Sequence, residues 1–268
     1  MRHIFTETYM HADFNLGREI KNEIEYGRVR SPRYYLHFHS HIEIYIVLSG
    51  EVEVIINGHK RLLHGGEISV AMSYDAHGYN TPRSSEVEYL IIPTEYCGDI
   101  LPLFESRHSA SRFIDNPKVF GTVCDAMEHI MSGSNEVMTR GYIYLILGAV
   151  LECMAPDSEP FQNDNPITPD ILIYISEHFR EALSLGSLAE HFGYNPSYVS
   201  RSFHRTFGIS FGKYLTLLRL REAVMLMRKG NKTVTECALE SGFGSMRSFY
   251  RAFLGEFGCS PKEYLVRH

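Results

Sequence analysis

The sequence predicts an α+β chain of two domains, an antiparallel β-barrel followed by an all-α domain. Three observations support this: short β-rich runs between residues 33 and 93, an internal helical repeat after residue 187, and a proline-rich stretch between them. A length of 268 residues is enough for two domains. We expect a barrel domain over 1–115, a helical pair over 116–154, a linker over 155–169 and the helical domain over 170–268.

The composition is that of a globular protein, with 44% hydrophobic and 22% charged residues. No run approaches eighteen apolar residues, and residues 1–16 lack the apolar core of a signal peptide, so neither a membrane span nor secretion is expected. The cysteines are scattered without C-x-x-C spacing, which indicates reduced thiols and a cytoplasmic location. They are Cys97, Cys124, Cys153, Cys237 and Cys259.

The charge is divided unevenly along the chain. The net charge is −6, but residues 165–268 hold 13 Lys and Arg against 9 Asp and Glu, whereas residues 1–164 hold 13 against 23. The basic excess therefore lies in the helical domain, as contact with phosphates requires.

The N-terminal half contains six β-rich runs with turn signals between them. Asn57-Gly58 is typical of a tight hairpin, and Gly65-Gly66 marks another turn. The spacing favours an antiparallel barrel or sandwich. The predicted strands are Tyr34–His39, Ile42–Leu48, Glu51–Asn57, His59–Leu63, Ile68–Met72 and Val87–Ile92.

Histidines and a carboxylate cluster in the first of these runs. Strand alternation puts His37, His39, His41 and Glu43 on one face, provided that no bulge intervenes. Imidazoles and a carboxylate suit a divalent metal, but they can equally hydrogen-bond one another or a small hydroxylated ligand. Both interpretations stay open. The candidate ligand or metal residues are His37, His39, Glu43, Tyr45 and His77.

This pattern resembles the two motifs of the cupin barrel. The first motif runs from His37 to Gly50, and the second contains Gly66-Glu67 and His77. His64-Gly65-Gly66 stands where Pro-x-Gly is typical, so the second motif departs from the family pattern. The resemblance implies that His37, His39, Glu43 and His77 would surround a metal where a cupin binds one.

Two amphipathic helical patterns follow, Asn116–Ser132 and Asn135–Met154, with a break at Ser132-Gly133-Ser134. Their apolar stripes would pack on the barrel or pair between subunits. We expect part of the second stripe to form a two-fold interface. The first stripe is Val119, Phe120, Val123, Met127 and Ile130, and the proposed interface is Met138, Tyr142, Leu145, Ile146 and Ala149.

The last eighty residues contain one pattern twice, at an offset of 49 to 50 residues. The shared landmarks are Ala189 and Ala238, Gly193 and Gly242, Arg201 and Arg251, Phe203 and Phe253, Gly208 and Gly258, Ser210 and Ser260, and Tyr214 and Tyr264. Each copy predicts a helix, a glycine turn and a second helix. In the first copy Ser187 is the expected N-cap, with Glu190 completing a capping box, and Asn195-Pro196 opens the second helix.

The second helix of each copy has two distinct faces. Apolar residues at i, i+4 and i+8 form one face, and residues at i, i+3, i+4 and i+7 form the other. The apolar faces are Val199, Phe203 and Phe207, then Phe249, Phe253 and Phe257; the opposite faces are Ser197, Ser200, Arg201 and His204, then Arg247, Tyr250, Arg251 and Leu254. An exposed arginine-bearing helix is what reading a major groove needs.

A continuous helical pattern over Ser210–Arg228 joins the two copies. Its nineteen residues would span about 28 Å. One turn of B-DNA is about 34 Å, so this helix could hold two recognition helices in successive major grooves.

The repeat, the connecting helix and the closing Gly258-Cys259-Ser260-Pro261-x-x-Tyr264 signature resemble the AraC-type family of bacterial transcription regulators. The resemblance implies double-stranded DNA, a small-molecule effector such as a sugar or polyol, a second copy of the chain and RNA polymerase as partners. We expect Arg201 and Arg251 to read base edges and Lys213 and Ser245 to contact phosphate. The other candidate DNA-binding residues are Ser197, Ser200, His204, Arg247 and Tyr250.

Two alternatives remain at this stage. A metal-dependent cupin enzyme with an appended DNA-binding domain rests on His37, His39, Glu43 and His77 alone, without a recognisable nucleophile or acid–base pair. A ligand-independent DNA binder with a purely structural barrel is the other. The leading prediction is a non-enzymatic regulator controlled by a ligand.

Overall fold

The computed structural model describes residues 12–105, 111–154 and 169–267. Of these, residues 22–154 form one compact unit, and residues 13–21 with residues 169–267 form the other. The predicted linker over 155–169 lies outside the described residues, apart from Pro169. In the described part of the chain, no helix is long and apolar enough to cross a membrane.

The described chain starts with two short elements of the helical unit, β1 (Asp13–Phe14) and α1 (Leu16–Lys21). The other unit then begins with the strands β2 (Glu25–Arg30), β3 (Arg33–Phe38), β4 (Ile42–Ile56), β5 (His59–His64), β6 (Ile68–Ala71), β7 (His77–Asn80) and β8 (Ser85–Ile92). It ends with a 3-10 turn (Thr94–Tyr96), α2 (Leu101–Glu105), β9 (Phe113–Ile114), α3 (Pro117–Met131) and α4 (Glu136–Cys153).

Strand β4 organises the antiparallel sheet by taking part in both of its halves. Its first half pairs with β6 and β8, and its second half pairs with β5 and β7. Strand β2 pairs with β8, β3 with β7, and β9 with β6. The register against β8 shifts between Val47 and Ser49, next to Gly50 at φ +78°. A side chain at Gly50 would meet the carbonyl of Ser84 at 2.1 Å, so this bend requires glycine.

The sequence predicted two strands in place of β4, Ile42–Leu48 and Glu51–Asn57. The structure shows one bent strand instead, since the bulge carries the chain from one half of the sheet to the other. Strands β2 and β7 were not predicted. Strand β7 reads His-Gly-Tyr-Asn, which has little intrinsic β preference and forms because both of its neighbours supply hydrogen bonds.

The two faces of β4 serve different cores. Ile42, Ile44 and Ile46 join the apolar core that includes α3 and α4. Tyr45 and Val47 alternate with them and point into the barrel core with Val54 and Tyr79. Strand alternation therefore sends every second residue to the barrel interior, where Glu43 also lies.

Helices α3 and α4 form the predicted helical pair, capped by Asn116 and Asn135. The first stripe is confirmed as buried, apart from Phe120, which is half-buried. The prediction that the second stripe forms a single face is wrong, because its residues lie on two faces of α4. Ile146 is fully buried within its own unit, while Leu145 is 50% exposed. The buried face of α4 is Ile143, Ile146, Leu147 and Val150.

The helical unit contains the predicted repeat. Its elements after α1 are α5 (Pro169–His178), α6 (Leu185–His191), α7 (Pro196–Phe207), α8 (Phe211–Arg228), α9 (Val234–Glu240), α10 (Met246–Phe257) and α11 (Pro261–Arg267). Helix α8 is the predicted connecting helix. Its N-cap is Ser210, whose hydroxyl accepts a hydrogen bond from the backbone amide of Lys213.

One capping prediction is wrong by three residues. The N-cap of α6 is Ser184, which has extended backbone angles and accepts a hydrogen bond from the amide of Ser187. Ser187 is the third helical residue, and its hydroxyl in turn accepts from the amide of Ser184. The capping box is therefore formed by two serines, and Glu190 has no part in it.

The closing signature builds the last helix and seals the second copy. Gly258 ends α10 in the left-handed conformation at φ +66°. Ser260 and Glu263 then form a reciprocal pair of hydrogen bonds at the start of α11. Tyr264 is buried against Phe253 and Phe257.

The prediction placed all of residues 1–115 in the barrel domain. Residues 13–21 instead belong to the helical unit, because Leu16 and Ile20 are buried in its apolar core. This contact joins residues about two hundred positions apart, which no local sequence pattern specifies.

Candidate nucleic-acid interface and ligand site

Helices α7 and α10 have the same construction. Each has twelve residues between a capping side chain, Asn195 or Ser245, and a left-handed glycine, Gly208 or Gly258. Positions counted from the cap are therefore equivalent in the two helices. Ser197 corresponds to Arg247, Ser200 to Tyr250, Arg201 to Arg251 and His204 to Leu254.

The apolar faces hold both helices in the core. Val199, Phe203 and Phe207 of α7 are at most 2% exposed, and Phe249 and Phe253 of α10 are fully buried. Burial of these faces fixes which side of each helix points outward.

The opposite faces are exposed, as predicted. They consist of Ser197, Ser200, Arg201 and His204 on α7, and Arg247, Tyr250, Arg251 and Leu254 on α10. Neither Arg201 nor Arg251 lies against the apolar core. A guanidinium in this setting can offer two donors to a guanine edge, and both helices have the exposed arginine that such a contact requires. The base contacts themselves stay predictions.

The two predicted phosphate-contact residues already have intramolecular partners. The ammonium of Lys213 lies 2.5 Å from Oε2 of Glu256, and its side chain is 46% exposed. The hydroxyl of Ser245 accepts from the amide of Ser248 as the cap of α10. Sequence reasoning missed the ion pair because Lys213 and Glu256 are 43 residues apart and on different helices.

An open cleft of about 410 Å³ lies beside Arg251, between α8 and α10. Lys213, Arg219 and Arg251 line it together with the hydroxyl-bearing residues Thr216 and Ser248. The guanidinium of Arg219 is partly committed, since it donates to the carbonyls of Phe179 and Glu181. The sequence did not single out Thr216, Arg219 or Ser248, because the cleft forms only when α8 and α10 pack together.

The second candidate site is inside the barrel. The side chains of His37, His39, Glu43 and His77 each offer one ligand atom, and these atoms lie within 4.8 Å of one another. Oε2 of Glu43 is 3.4 Å from Nε2 of His39 and 3.6 Å from Nε2 of His77. The ring centroids of His37 and His77 are 4.3 Å apart. The structure thus brings together the four residues that the cupin resemblance implies.

The same arrangement orients all three histidine rings. Nδ1 faces a backbone carbonyl in each case, that of Tyr35 for His37, of His41 for His39 and of Asp75 for His77. An Nδ1–H that donates to a carbonyl leaves Nε2 as the free lone pair of a neutral imidazole. Metal-binding histidines commonly have this second hydrogen bond.

The electrostatics of the cluster call for a cation. The pKa of His37 is lowered to about 3, chiefly by burial, so this ring is neutral near pH 7. Burial tends to raise the pKa of Glu43, but its contacts with His39 and His77 outweigh burial and lower it, so Glu43 is a carboxylate. Nε2 of His39 and Nε2 of His77 both face Oε2 of Glu43, so a proton or a metal ion placed among these atoms would be stabilised by the carboxylate. The residues therefore fit a divalent metal with three nitrogen ligands and one oxygen ligand.

His41 does not join this cluster. Residues 39–41 form a bend between β3 and β4, so the strand alternation on which its placement depended is broken there. The ring of His41 contacts the hydroxyl of Ser40 at 3.1 Å. The bend also explains how His39 and Glu43 come within reach of each other.

Tyr45 lies in the barrel core, stacked on Tyr79 with ring centroids 3.9 Å apart. The hydroxyls of Tyr45 and Ser69 are buried without a hydrogen-bond partner among the described residues. Tyr45 and Ser69 are also paired across strands β4 and β6, so their side chains share a face. Buried polar groups of this kind normally have partners, and a bound ligand would supply them.

Comparison with known proteins matches both halves of the chain to protein families. A cupin-domain model matches residues 23–93, and a helix-turn-helix-domain model matches residues 188–267. Together the two matches define a protein that joins a cupin barrel to a duplicated helix-turn-helix.

The similar proteins include regulators. An uncharacterised HTH-type transcriptional regulator of Staphylococcus aureus (strain COL) is 21% identical over 263 residues, 95% of this chain and 34% of its own length. The HTH-type transcriptional activator RhaS of Salmonella paratyphi A is 25% identical over 85% of this chain and 86% of that protein. The chain spans about a third of the length of the first curated relatives that it matches. Among solved structures, ToxT of Vibrio cholerae aligns over 91% of this chain and 98% of its own, with 13% identity and a TM-score of 0.43.

The two matched segments, residues 23–93 and residues 188–267, are those that carry the resemblance to AraC-type regulators.

Proposed function

We propose that this protein is a cytoplasmic transcription regulator that binds double-stranded DNA through α7 and α10 and responds to a small molecule inside its barrel. The observation that carries the proposal is the equivalence of the two helices, which present Arg201 and Arg251 at the same position of an exposed face. The basic excess of residues 165–268 supports attraction to DNA.

The barrel interior supports the sensing part of the proposal. The unpartnered hydroxyls of Tyr45 and Ser69 suit a small hydroxylated ligand, in keeping with a sugar or polyol. A ligand that binds one arrangement of the protein more tightly than another would shift the population between them. A divalent metal held by His37, His39, Glu43 and His77 would supply a Lewis-acidic point for an oxygen of that ligand.

A second copy of the chain is the partner that α4 favours. Met138, Gly141, Leu145 and Gly148 are exposed and follow the 3-4-3 spacing of a coiled-coil seam. A side chain added at either glycine would meet nothing within 4 Å, so a neighbouring helix could approach closely there. Two copies would place two helical units on one DNA site and raise the effective concentration for the second binding event. RNA polymerase is the further partner expected of a regulator that activates.

The alternative function is a metal-dependent cupin enzyme. Only the cluster of His37, His39, Glu43 and His77 favours it. It requires a substrate-facing acid or base beyond the metal ligands, and the hydroxyl of Tyr45 is the nearest candidate along the strand. Burial raises the pKa of Tyr45, so its hydroxyl stays protonated and is a poor base. We therefore propose a sensor barrel without enzymatic activity.

The test is selection of duplexes from a random library by the full-length protein, followed by binding measurements on the enriched site and on random DNA. Arg201→Ala or Arg251→Ala should each lose about 1–3 kcal/mol of discrimination at one base pair, as expected for a bidentate arginine–guanine contact. Arg83→Ala, which removes an exposed arginine from the barrel unit, is the matched control for net charge. Equal losses on cognate and random DNA would make both arginines phosphate contacts, and no enriched sequence at all would refute the proposal.

A further inference from the structure

Helices α7 and α10 are equivalent in construction but not in the surface that they present. At the sixth position from the cap both have an exposed arginine, Arg201 or Arg251. At the ninth position α7 has His204 and α10 has Leu254. The repeat therefore keeps one of the four positions of its exposed face and changes the other three, so the two helices offer different surfaces to the same kind of partner.

Leu254 is an unusual residue for this place. It is 58% exposed, and Tyr250, one turn earlier on the same face, is 48% exposed. Between them lies Arg251, so the exposed face of α10 combines a guanidinium with an apolar surface. The core of the unit uses the opposite face, through Phe249 and Phe253, and does not account for either exposed residue.

The major groove contains one apolar feature that such a surface can recognise, the C5 methyl group of thymine. A histidine at the equivalent place instead offers a donor or acceptor to a base edge. We propose that α7 and α10 of one chain each read one part of the DNA site, here called a half-site, and that the two half-sites differ in sequence. Both half-sites share a guanine that an arginine contacts, and only the half-site under α10 has a thymine whose methyl group packs against Leu254.

This inference rests on the proposed DNA-binding function and names its target more closely. It makes the bound sequence directional, since exchanging the two half-sites would put the methyl group opposite His204. It also makes Leu254 a specificity-determining residue that contributes little to the fold, because its side chain lies mostly in solvent.

The experiment uses full-length protein and the duplex selected from a random library. Each thymine is replaced singly by deoxyuridine, which removes only the C5 methyl group. The half-site under α10 is the one whose guanine discrimination is lost in Arg251→Ala. One replacement in that half-site should weaken binding about fourfold, which corresponds to roughly 0.8 kcal/mol for one buried methyl group. Leu254→Ala should bind the thymine and deoxyuridine duplexes equally.

Two further variants separate recognition from a general loss of affinity. His204→Leu should gain sensitivity to a thymine methyl group at the equivalent place in the other half-site, and Leu254→His should lose it in its own. Circular dichroism melts of all three variants should match the wild type. The inference is overturned if no thymine is methyl-sensitive, or if Leu254→Ala keeps the full sensitivity, while sequence-specific binding itself persists. Absence of any sequence-specific binding would overturn the proposed function first, and this inference with it.

Discussion

Oε2 of Glu19 accepts a hydrogen bond of 2.6 Å from Nη1 of Arg221, although 202 residues separate them in the chain. The carboxylate is 1% exposed, and the side chain of Arg221 is 16% exposed. Arg228, two turns further along α8, donates to the carbonyl of Ile20. The short helix α1 is therefore fixed to the connecting helix by a buried ion pair as well as by its apolar residues.

Glu19→Gln should destabilise the helical unit by about 3–5 kcal/mol, because it removes the negative charge that lies 2.6 Å from the largely buried Arg221 guanidinium. The measurement is urea unfolding of the full chain followed by circular dichroism at 222 nm. Glu240→Gln, which removes an exposed partner of Lys232 in the same unit, should leave the transition unchanged. A midpoint for Glu19→Gln equal to that of this control would show that the pair contributes nothing to stability.

The phenylalanine faces of the repeat should be equally important in both copies. Phe203→Ala and Phe253→Ala should each cost about 3–5 kcal/mol, since both side chains are fully buried and surrounded by other aromatic rings. Leu254→Ala on the same helix as Phe253 is the exposed control and should cost little. Chemical unfolding of the three variants decides the matter, and an unchanged midpoint for either Phe variant would refute the assigned helical register.

The two turn glycines of the repeat should differ in their tolerance of a side chain. Gly193 and Gly242 both have positive φ, at +72° and +87°. A Cβ at Gly193 would meet nothing within 4 Å, whereas one at Gly242 would lie 2.7 Å from the carbonyl oxygen of Arg180. Gly193→Ala should therefore lower the free energy of unfolding by about 1–2 kcal/mol, because alanine disfavours the left-handed conformation. Gly242→Ala should lower it by about 1–3 kcal/mol more, because the added Cβ also overpacks against the Arg180 backbone. Equal losses of stability for the two variants in thermal melts would mean that the Arg180 backbone moves aside without an energetic penalty.

Local signals explain what the sequence could predict. The cap at Asn195, the glycine after α9 and the Phe203 face depend on residues within two turns of one another, and all three are present in the structure. The docking of α1 on α8 depends on packing between distant segments, and strand β7 depends on hydrogen bonds from its neighbours. Neither leaves a periodic pattern in the sequence.

The candidate sites divide in the same way. The exposed faces of α7 and α10 follow from helical spacing, and the barrel cluster follows from its motif residues. The carbonyl partners that orient His37, His39 and His77 come from loop and strand backbone, which no side-chain pattern encodes. The ion pair between Lys213 and Glu256 could not be predicted either, because it joins α8 to α10 over 43 residues of sequence.

Incubation of the purified chain with Zn²⁺ should load about one ion into the barrel and raise its melting temperature. A ligand at a hundred times its Kd stabilises the native state by about 2.7 kcal/mol, provided that it does not bind the unfolded chain. His77→Ala should lose both the bound ion and the shift, whereas His64→Ala, which removes an exposed histidine, should keep them. The measurements are elemental analysis after dialysis and a thermal melt. A wild-type chain that retains no metal would identify the cluster as a metal-free hydrogen-bonding site.

The exposed seam of α4 gives the sharpest test of self-association, because adjacent residues on this helix have opposite roles. Leu145 is 50% exposed and Ile146 is fully buried within its own unit. Leu145→Asp should therefore split a dimer and leave the fold intact, since it places a charge where the second copy would exclude water. Ile146→Asp should unfold the barrel unit instead, because the same charge would then lie in the core between α4 and the sheet.

Sedimentation velocity of the full chain at tens of micromolar measures the first effect, and a circular dichroism melt measures the second. Leu62→Asp, on the exposed side of β5, is the matched control and should remain dimeric and folded. A wild-type chain that sediments as a monomer would refute the interface, and a Leu145→Asp chain that stays dimeric would move it to another surface. Because Gly141 and Gly148 lie on the same seam, Gly148→Leu should also weaken the dimer by keeping the two helices apart.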